Sequence, residues 1–115
     1  MHAMTKFSLD ISSVKETDSC KIVTHEQGDI ETRLYSSTSG NAIEKIVDGD
    51  LEVCKMDKDQ LCTLCELYIK DKYALLMLLI KRAQSFSFSR FEKRGRQWEW
   101  IDHRMFESRV YNLRK

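Results

Sequence analysis

The stretch from Asp57 to Gln84 constrains this chain more than any other. Leu61, Leu64, Cys65 and Tyr68 recur at three- and four-residue spacing, and Leu75, Leu76, Leu79 and Ala83 continue the same face. Apolar residues at that spacing predict an amphipathic helix. Asp57 as N-cap, with Gln60 three residues on, offers acceptors to the first amides that a helix leaves unpaired. Lys70-Asp71-Lys72 interrupts the stripe and is the place where the helix can break in two. Around Leu75–Ile80 the segment is apolar nearly all round, as a helix sandwiched in a core would be. The expectation is one long central helix over residues 58–84.

The flanks read as strands. Phe7, Leu9 and Ile11 alternate with polar residues over Lys6–Ser12, the mark of a half-buried strand. Cys20–Glu26 and Ile30–Tyr35 flank Gln27-Gly28-Asp29 as a hairpin would, and Ser36-Ser37-Thr38-Ser39-Gly40 is a polar loop. Residues 41–47 admit two readings. Asn41 with Glu44 forms a capping box for a short helix burying Ala42, Ile43, Ile46 and Val47. Alternatively, Asp48-Gly49 joins Ile43–Val47 to Leu51–Lys55 as a tight hairpin. The helix is favoured slightly, with Leu51–Lys55 a strand after it. Ser85-Phe86-Ser87-Phe88-Ser89 then switches to a period of two, and Gln97–Asp102 faces it across Lys93-Arg94-Gly95. Met105–Leu113 fits a strand or a short helix equally. The expected fold is α+β: an antiparallel sheet of N-terminal strands packed on the long central helix, followed by a C-terminal β-hairpin.

At 115 residues the chain suits a single domain spanning 1–115, large enough for a core without staples. It has no proline and four glycines, which argues against rigid linkers and long punctuated loops. Met1–Lys15 has no apolar core ahead of a small-residue cleavage site, so no secretory signal is expected. Tyr73–Ile80, the longest apolar run, is far shorter than the roughly 20 residues that cross a bilayer. No membrane association is expected. Met1-His2-Ala3-Met4 reads as in part a cloning remnant, with Met4 the natural start. Cys20, Cys54, Cys62 and Cys65 are expected as reduced thiols in a cytoplasmic protein.

Charge and aromatic content are polarised. From Lys81 onward there are ten basic and four acidic residues, a net +6, while residues 1–80 carry nine and fourteen, a net −5. Seven of the eleven aromatics lie in Ser85–Lys115: Phe86, Phe88, Phe91, Trp98, Trp100, Phe106 and Tyr111. A segment both sticky and positive either packs its rings and solvates its charges, or presents both to a partner.

Catalytic signals are thin. Cys62-Thr63-Leu64-Cys65 has redox spacing, but the expected cap at Asp57 puts Cys62 beyond the helix terminus that would stabilise a thiolate. Zinc would need two more ligands, and only Cys54, Cys20 or His25 offer them without a second CxxC. Core packing is the expectation for these thiols, with no metal and no cofactor. His25 beside Glu26 and His103 beside Asp102 are the only credible bases, and strand neighbours point to opposite faces. GxSxG, HExxH, Walker and GxGxxG motifs are missing. Asp48-Gly49-Asp50 lacks the later glutamate of a calcium loop.

The sequence therefore favours a non-catalytic adaptor or inhibitor acting through protein–protein contact, a homodimer being one form of it. Its expected binding residues are Arg90, Lys93, Arg94, Arg96, Trp98 and Trp100, the tryptophans as anchors and the arginines on the rim, because these types dominate interface hot spots. The rival is a nucleic-acid-binding regulator that uses the basic tip 93–96 with Trp98 and Trp100 to meet phosphates and stack on bases. A pI near 7.7 lies below the strongly basic signature of that class.

Overall fold

The computed structural model describes residues Met4–Lys115; Met1, His2 and Ala3, where the cloning remnant was placed, lie outside the described residues. In chain order the elements are β1 (Thr5–Asp10), β2 (Cys20–Gln27), β3 (Ile30–Ser37), β4 (Asn41–Asp48), β5 (Leu51–Lys55), β6 (Gln60–Lys70), β7 (Tyr73–Arg82), β8 (Ser85–Arg94), β9 (Gln97–Ile101) and α1 (His103–Leu113). The expected α+β arrangement is overturned. No long central helix exists: 58–84 is the β6–β7 hairpin, and the fold is a curled mixed sheet with one short C-terminal helix.

Two devices explain the false helical signal. The polar triplet Lys70-Asp71-Lys72 is the hairpin turn, with Asp71 in the left-handed region at φ 55°. The register slips between Cys62 and Leu64, and the extra residue of this β-bulge reverses the alternation of the strand. Cys62 and Cys65, which would otherwise face opposite sides, therefore point to the same interior. The Asp57–Gln60 bond is real, since the Asp57 amide donates to Gln60 Oε1 at 2.8 Å, but it closes a turn that starts β6. The favoured helix over 41–47 is overturned in the same way. β4 is a strand that runs through Asp48-Gly49-Asp50 into β5. A slip at Phe7/Ser8 makes Glu44 the extra residue opposite β1, so Ile43 and Ile46 share the interior face. Asn41 Nδ2 donates to Thr38 Oγ1 at 2.9 Å instead of capping a helix.

β6, β7, β8 and β9 form an antiparallel meander. β3 joins the other edge of β6 and carries β2 outside it. β4 touches β6 only at Ile43–Cys62, pairs in parallel with β1, and carries β5. β5 comes against β9, so the sheet curls back towards itself. The inner cluster centres on Tyr35, Ile43, Ile46, Cys62, Cys65, Leu67, Leu76 and Leu78. Tyr35 is fully buried, and its hydroxyl donates to the carbonyls of Ile11 and Ser13.

The outer face of β7 carries a second cluster, Leu75 with Ile101, Phe106 and Leu113, under α1. Asp102 follows β9 and caps the helix, its Oδ1 accepting from the Met105 amide at 2.8 Å. The two alternatives left open at 105–113 are thus resolved as helix. Phe106 meets Tyr68 edge to face, with ring centroids 6.3 Å apart. No helix of the described residues is long and apolar enough to cross a membrane.

Leu75, Leu76 and Leu78 are fully buried, whereas Leu79 faces outward beyond the reach of α1 and is half-buried. Leu76→Ala is expected to cost about 2–5 kcal/mol as a core cavity. Leu79→Ala should cost roughly 1 kcal/mol, as at an average site. Urea unfolding of both variants checks the order; equal losses would contradict the layering.

Candidate functional site

The C-terminal hairpin does not stand free. β8 pairs with β7 from Ser85 to Lys93, while β9 pairs with β8 only from Arg90 to Arg94. Alternation then sorts the side chains: Phe91, Lys93, Trp98 and Trp100 face the inner side, and Arg90, Glu92, Phe86 and Phe88 the outer side.

The structure splits the six expected binding residues. Asp48 Oδ2 accepts from Lys93 Nζ at 2.7 Å and from Trp98 Nε1 at 3.0 Å. Trp98 is half-buried and packs on the inner cluster, so it holds the hairpin to the β4–β5 turn. Lys93 is likewise a structural cation. Arg94 Nε lies 3.1 Å from Glu92 Oε1 with most of its side chain in solvent. Arg96 is exposed at the turn beside Gly95 (φ 61°). Arg90 is half-buried, its guanidinium 5.6 Å from the Phe88 ring centroid, and its Nε is buried without a hydrogen-bond partner. Trp100 remains 65% exposed. Of the two tryptophans on one strand face, the one beyond the cover of Asp48 is the more exposed.

Glu92 is the buried charge that sequence reasoning passed over. It is 2% exposed and sits where β7, β8 and α1 meet. Tyr73 Oη donates to Glu92 Oε2, Arg109 Nε of α1 donates to the same oxygen at 2.8 Å, and Arg94 completes the set. Burial pushes the Glu92 carboxyl up, but the Tyr73 and Arg109 hydrogen bonds and the charges of Arg109 and Arg94 outweigh it and hold it below the ordinary carboxylate value. Burial, and then the Glu92 carboxylate beside it, pushes the Tyr73 phenol well up. An open cleft of about 730 Å3 borders this cluster, lined by Lys70, Lys72, Tyr73, Arg94 and Arg109 among others. Lys70 is paired with Asp29 across 3.7 Å, so much of the lining charge is already answered.

The thiols are interior. Cys62 and Cys65 are fully buried with sulfurs 3.8 Å apart. Burial pushes the Cys65 thiol well up, and the Cys54 thiol to about 12. They lie on a strand and not, as expected, along a helix. Among the described residues no three His, Cys, Asp or Glu side chains are grouped to hold a metal ion. His25 is exposed on β2, and His103 sits on the surface of α1, its Nε2 3.1 Å from Glu107.

The surface that does stand open is the first half of β8. Among the described residues, Ser85–Ser89 has β7 on one side and no strand on the other, because β9 stops at Ile101. Phe86 is 63% and Phe88 48% exposed on its outer face. Lys81 Nζ lies 5.8 Å from the Phe86 ring centroid. The sequence held the clue in its lengths, since a strand from Ser85 cannot be matched by one ending at the helix cap Asp102.

Two outcomes follow. Glu92→Gln is expected to cost roughly 1.5–3 kcal/mol, the worth of hydrogen bonds to a charged group. Because the folded pKa is depressed, this stability is present above the unfolded value of about 4.3 and is lost as pH falls through the folded pKa. The wild type and variant should therefore converge in thermal midpoint in acid; a gap independent of pH would contradict the charge argument. Changing Lys93, Arg94 and Arg96 together to serine should destabilise by about 1.5–3 kcal/mol, because Asp48 is left with Trp98 alone and Glu92 loses Arg94. Arg96→Ser by itself should leave the midpoint unchanged.

With this geometry in place, no protein-family model, no curated protein and no solved structure matches the chain.

Proposed function

We propose that this chain is a small non-catalytic adaptor or inhibitor that acts through protein–protein contact, by accepting a β-strand along Ser85–Ser89. The observation that carries the reading is an unpaired strand edge whose own five residues carry no charge. An open edge presents a row of N–H and C=O groups ready to pair, and proteins usually protect such edges with charge, proline or brevity. The outer strand β2 carries exposed Lys21, His25 and Glu26, and β5 is five residues long with Glu52 and Lys55 exposed. Ser85–Ser89 is as short as β5 but has neither charge nor proline within it. In strand addition the backbone supplies affinity and alternate side chains supply specificity. Phe86 and Phe88 are placed for that second task, with Trp100 on the opposite face near the end of β9.

The hairpin tip contributes less to this reading than its composition promises. Lys93 and Arg94 are bound to Asp48 and Glu92, which leaves Arg96 as the cation of the tip most open to a partner. That distribution also withdraws support from phosphate binding at the tip. Four free thiols suit a reducing compartment, and we place the protein in the cytoplasm on that ground.

The test is capture from a lysate of the native host with wild type, Phe88→Lys and Arg96→Ser as baits. Lysine on the edge should abolish capture of the wild-type partners, Arg96→Ser should retain it, and salt should change it little. A capture that survives Phe88→Lys but fails with Arg96→Ser, and falls steeply with salt, would replace this reading with the nucleic-acid one.

A further inference from the structure

Resting on that reading, we infer that the strand that occupies the β8 edge is the same edge of a second copy of this chain, paired antiparallel about a two-fold axis at Ser87. Ser85-Phe86-Ser87-Phe88-Ser89 is a palindrome. A two-fold contact applies one patch to itself, so each residue must suit its own symmetry mate. Centred on Ser87, the pairing sets Ser85 against Ser89 of the second copy, Phe86 against Phe88, and Ser87 against itself. The rings then form two cross-strand aromatic pairs on the outer face, and the hydroxyls meet on the other.

Charge and length agree with this occupant. The five residues carry no charge of their own, and β9 already holds the free side of Arg90 through Ile101, so the pairing ends at Ser89 and sets no charged residue opposite another. The notch is five residues long because β9 begins to pair at Arg90. The strand offered is equally long on its other side, because the chain turns away at Ala83, in the left-handed region at φ 53°.

Sedimentation velocity over a concentration series, with cysteine substitution, tests the arrangement. The wild type should dimerise, and Phe88→Lys, which acts twice in a symmetric contact, should weaken association by about tenfold or more. Phe86→Lys serves as the second probe, and near-native thermal midpoints show that both variants fold. Ser87→Cys should give a disulfide-linked dimer with oxidised glutathione, because residues directly opposite bring their Cβ atoms to about 4.5–5.5 Å. Ser85→Cys should link poorly with itself, its mate lying about 13 Å along the strand, yet link with Ser89→Cys in a mixture. A wild type monomeric to millimolar concentration would overturn the inference, as would equal self-linking of Ser85→Cys and Ser87→Cys. If such a monomer still loses its lysate partner on Phe88→Lys, the edge remains the binding surface and only the second copy is excluded. If capture is also indifferent to Phe88→Lys, both readings fall.

Discussion

β7 is buried on both faces, and the remaining architecture answers that requirement. Leu76, Leu78 and Ile80 point one way, while Leu75 points the other with Tyr73 and Met77 partly covered beside it. A strand with two apolar faces needs a cover on each. On the inner side the sheet covers itself by curling until β5 reaches β9. On the outer side α1 lies across Leu75 and Ile101 and brings Phe106 and Leu113 to them. Glu92 locks that second layer, because Arg109 belongs to α1 while Tyr73 and Glu92 belong to adjacent strands. Burying the carboxylate is costly on its own; three donors offset the cost and fix where the helix sits.

What was legible in the sequence follows from where the local rules hold. β1, β2, β3, β5, β8 and β9 keep strict alternation or are bounded by turn residues, and all appear near the expected positions. The errors at 41–47 and 58–84 share one cause. A β-bulge inserts a residue into one strand only, so apolar side chains on one face fall three apart. Ile43 and Ile46, and Cys62 and Cys65, copy the helical interval in this way. Two buried faces add apolar residues at every position of β7 from Tyr73 to Ile80, and the two patterns together read as a long helix. Periodicity counts residues and not their register against a partner, so a bulge is invisible to it. Composition gave one hint: a stretch rich in leucine and cysteine but interrupted by Lys-Asp-Lys suits two strands and a turn as well as one helix.

The candidate site was half legible for a different reason. The division of charge between −5 in residues 1–80 and +6 beyond suggested a basic surface awaiting a partner. Folding pairs much of it internally: Asp48 with Lys93, and Asp57 and Asp59 with Arg82. The Arg82 contacts are largely solvated and worth little in stability. The Asp48–Lys93 pair is more enclosed and also holds Trp98, so it decides which tryptophan reaches solvent. No reading of the C-terminal residues alone finds this, because the partner carboxylate is supplied from another hairpin.

The contrast between the two ends of β8 then follows. Its second half is bonded on both sides from Arg90 to Lys93 and carries the ionic lock of α1, so the charges of Glu92 and Lys93 serve the fold. Its first half has the opposite character, with one side unpaired, no charge and two rings in solvent. A lysine at Phe88 would protect the edge, and nothing in the core would resist it, since that ring is 48% exposed. Folding therefore does not require Phe86 and Phe88 to be aromatic. Open, uncharged edges carry a risk of unplanned pairing, and a fold that guards β2 and β5 with charge gains nothing in stability by leaving this one bare. A partner strand removes that inconsistency, because it converts the exposed N–H and C=O groups into a ladder and the rings into cross-strand contacts.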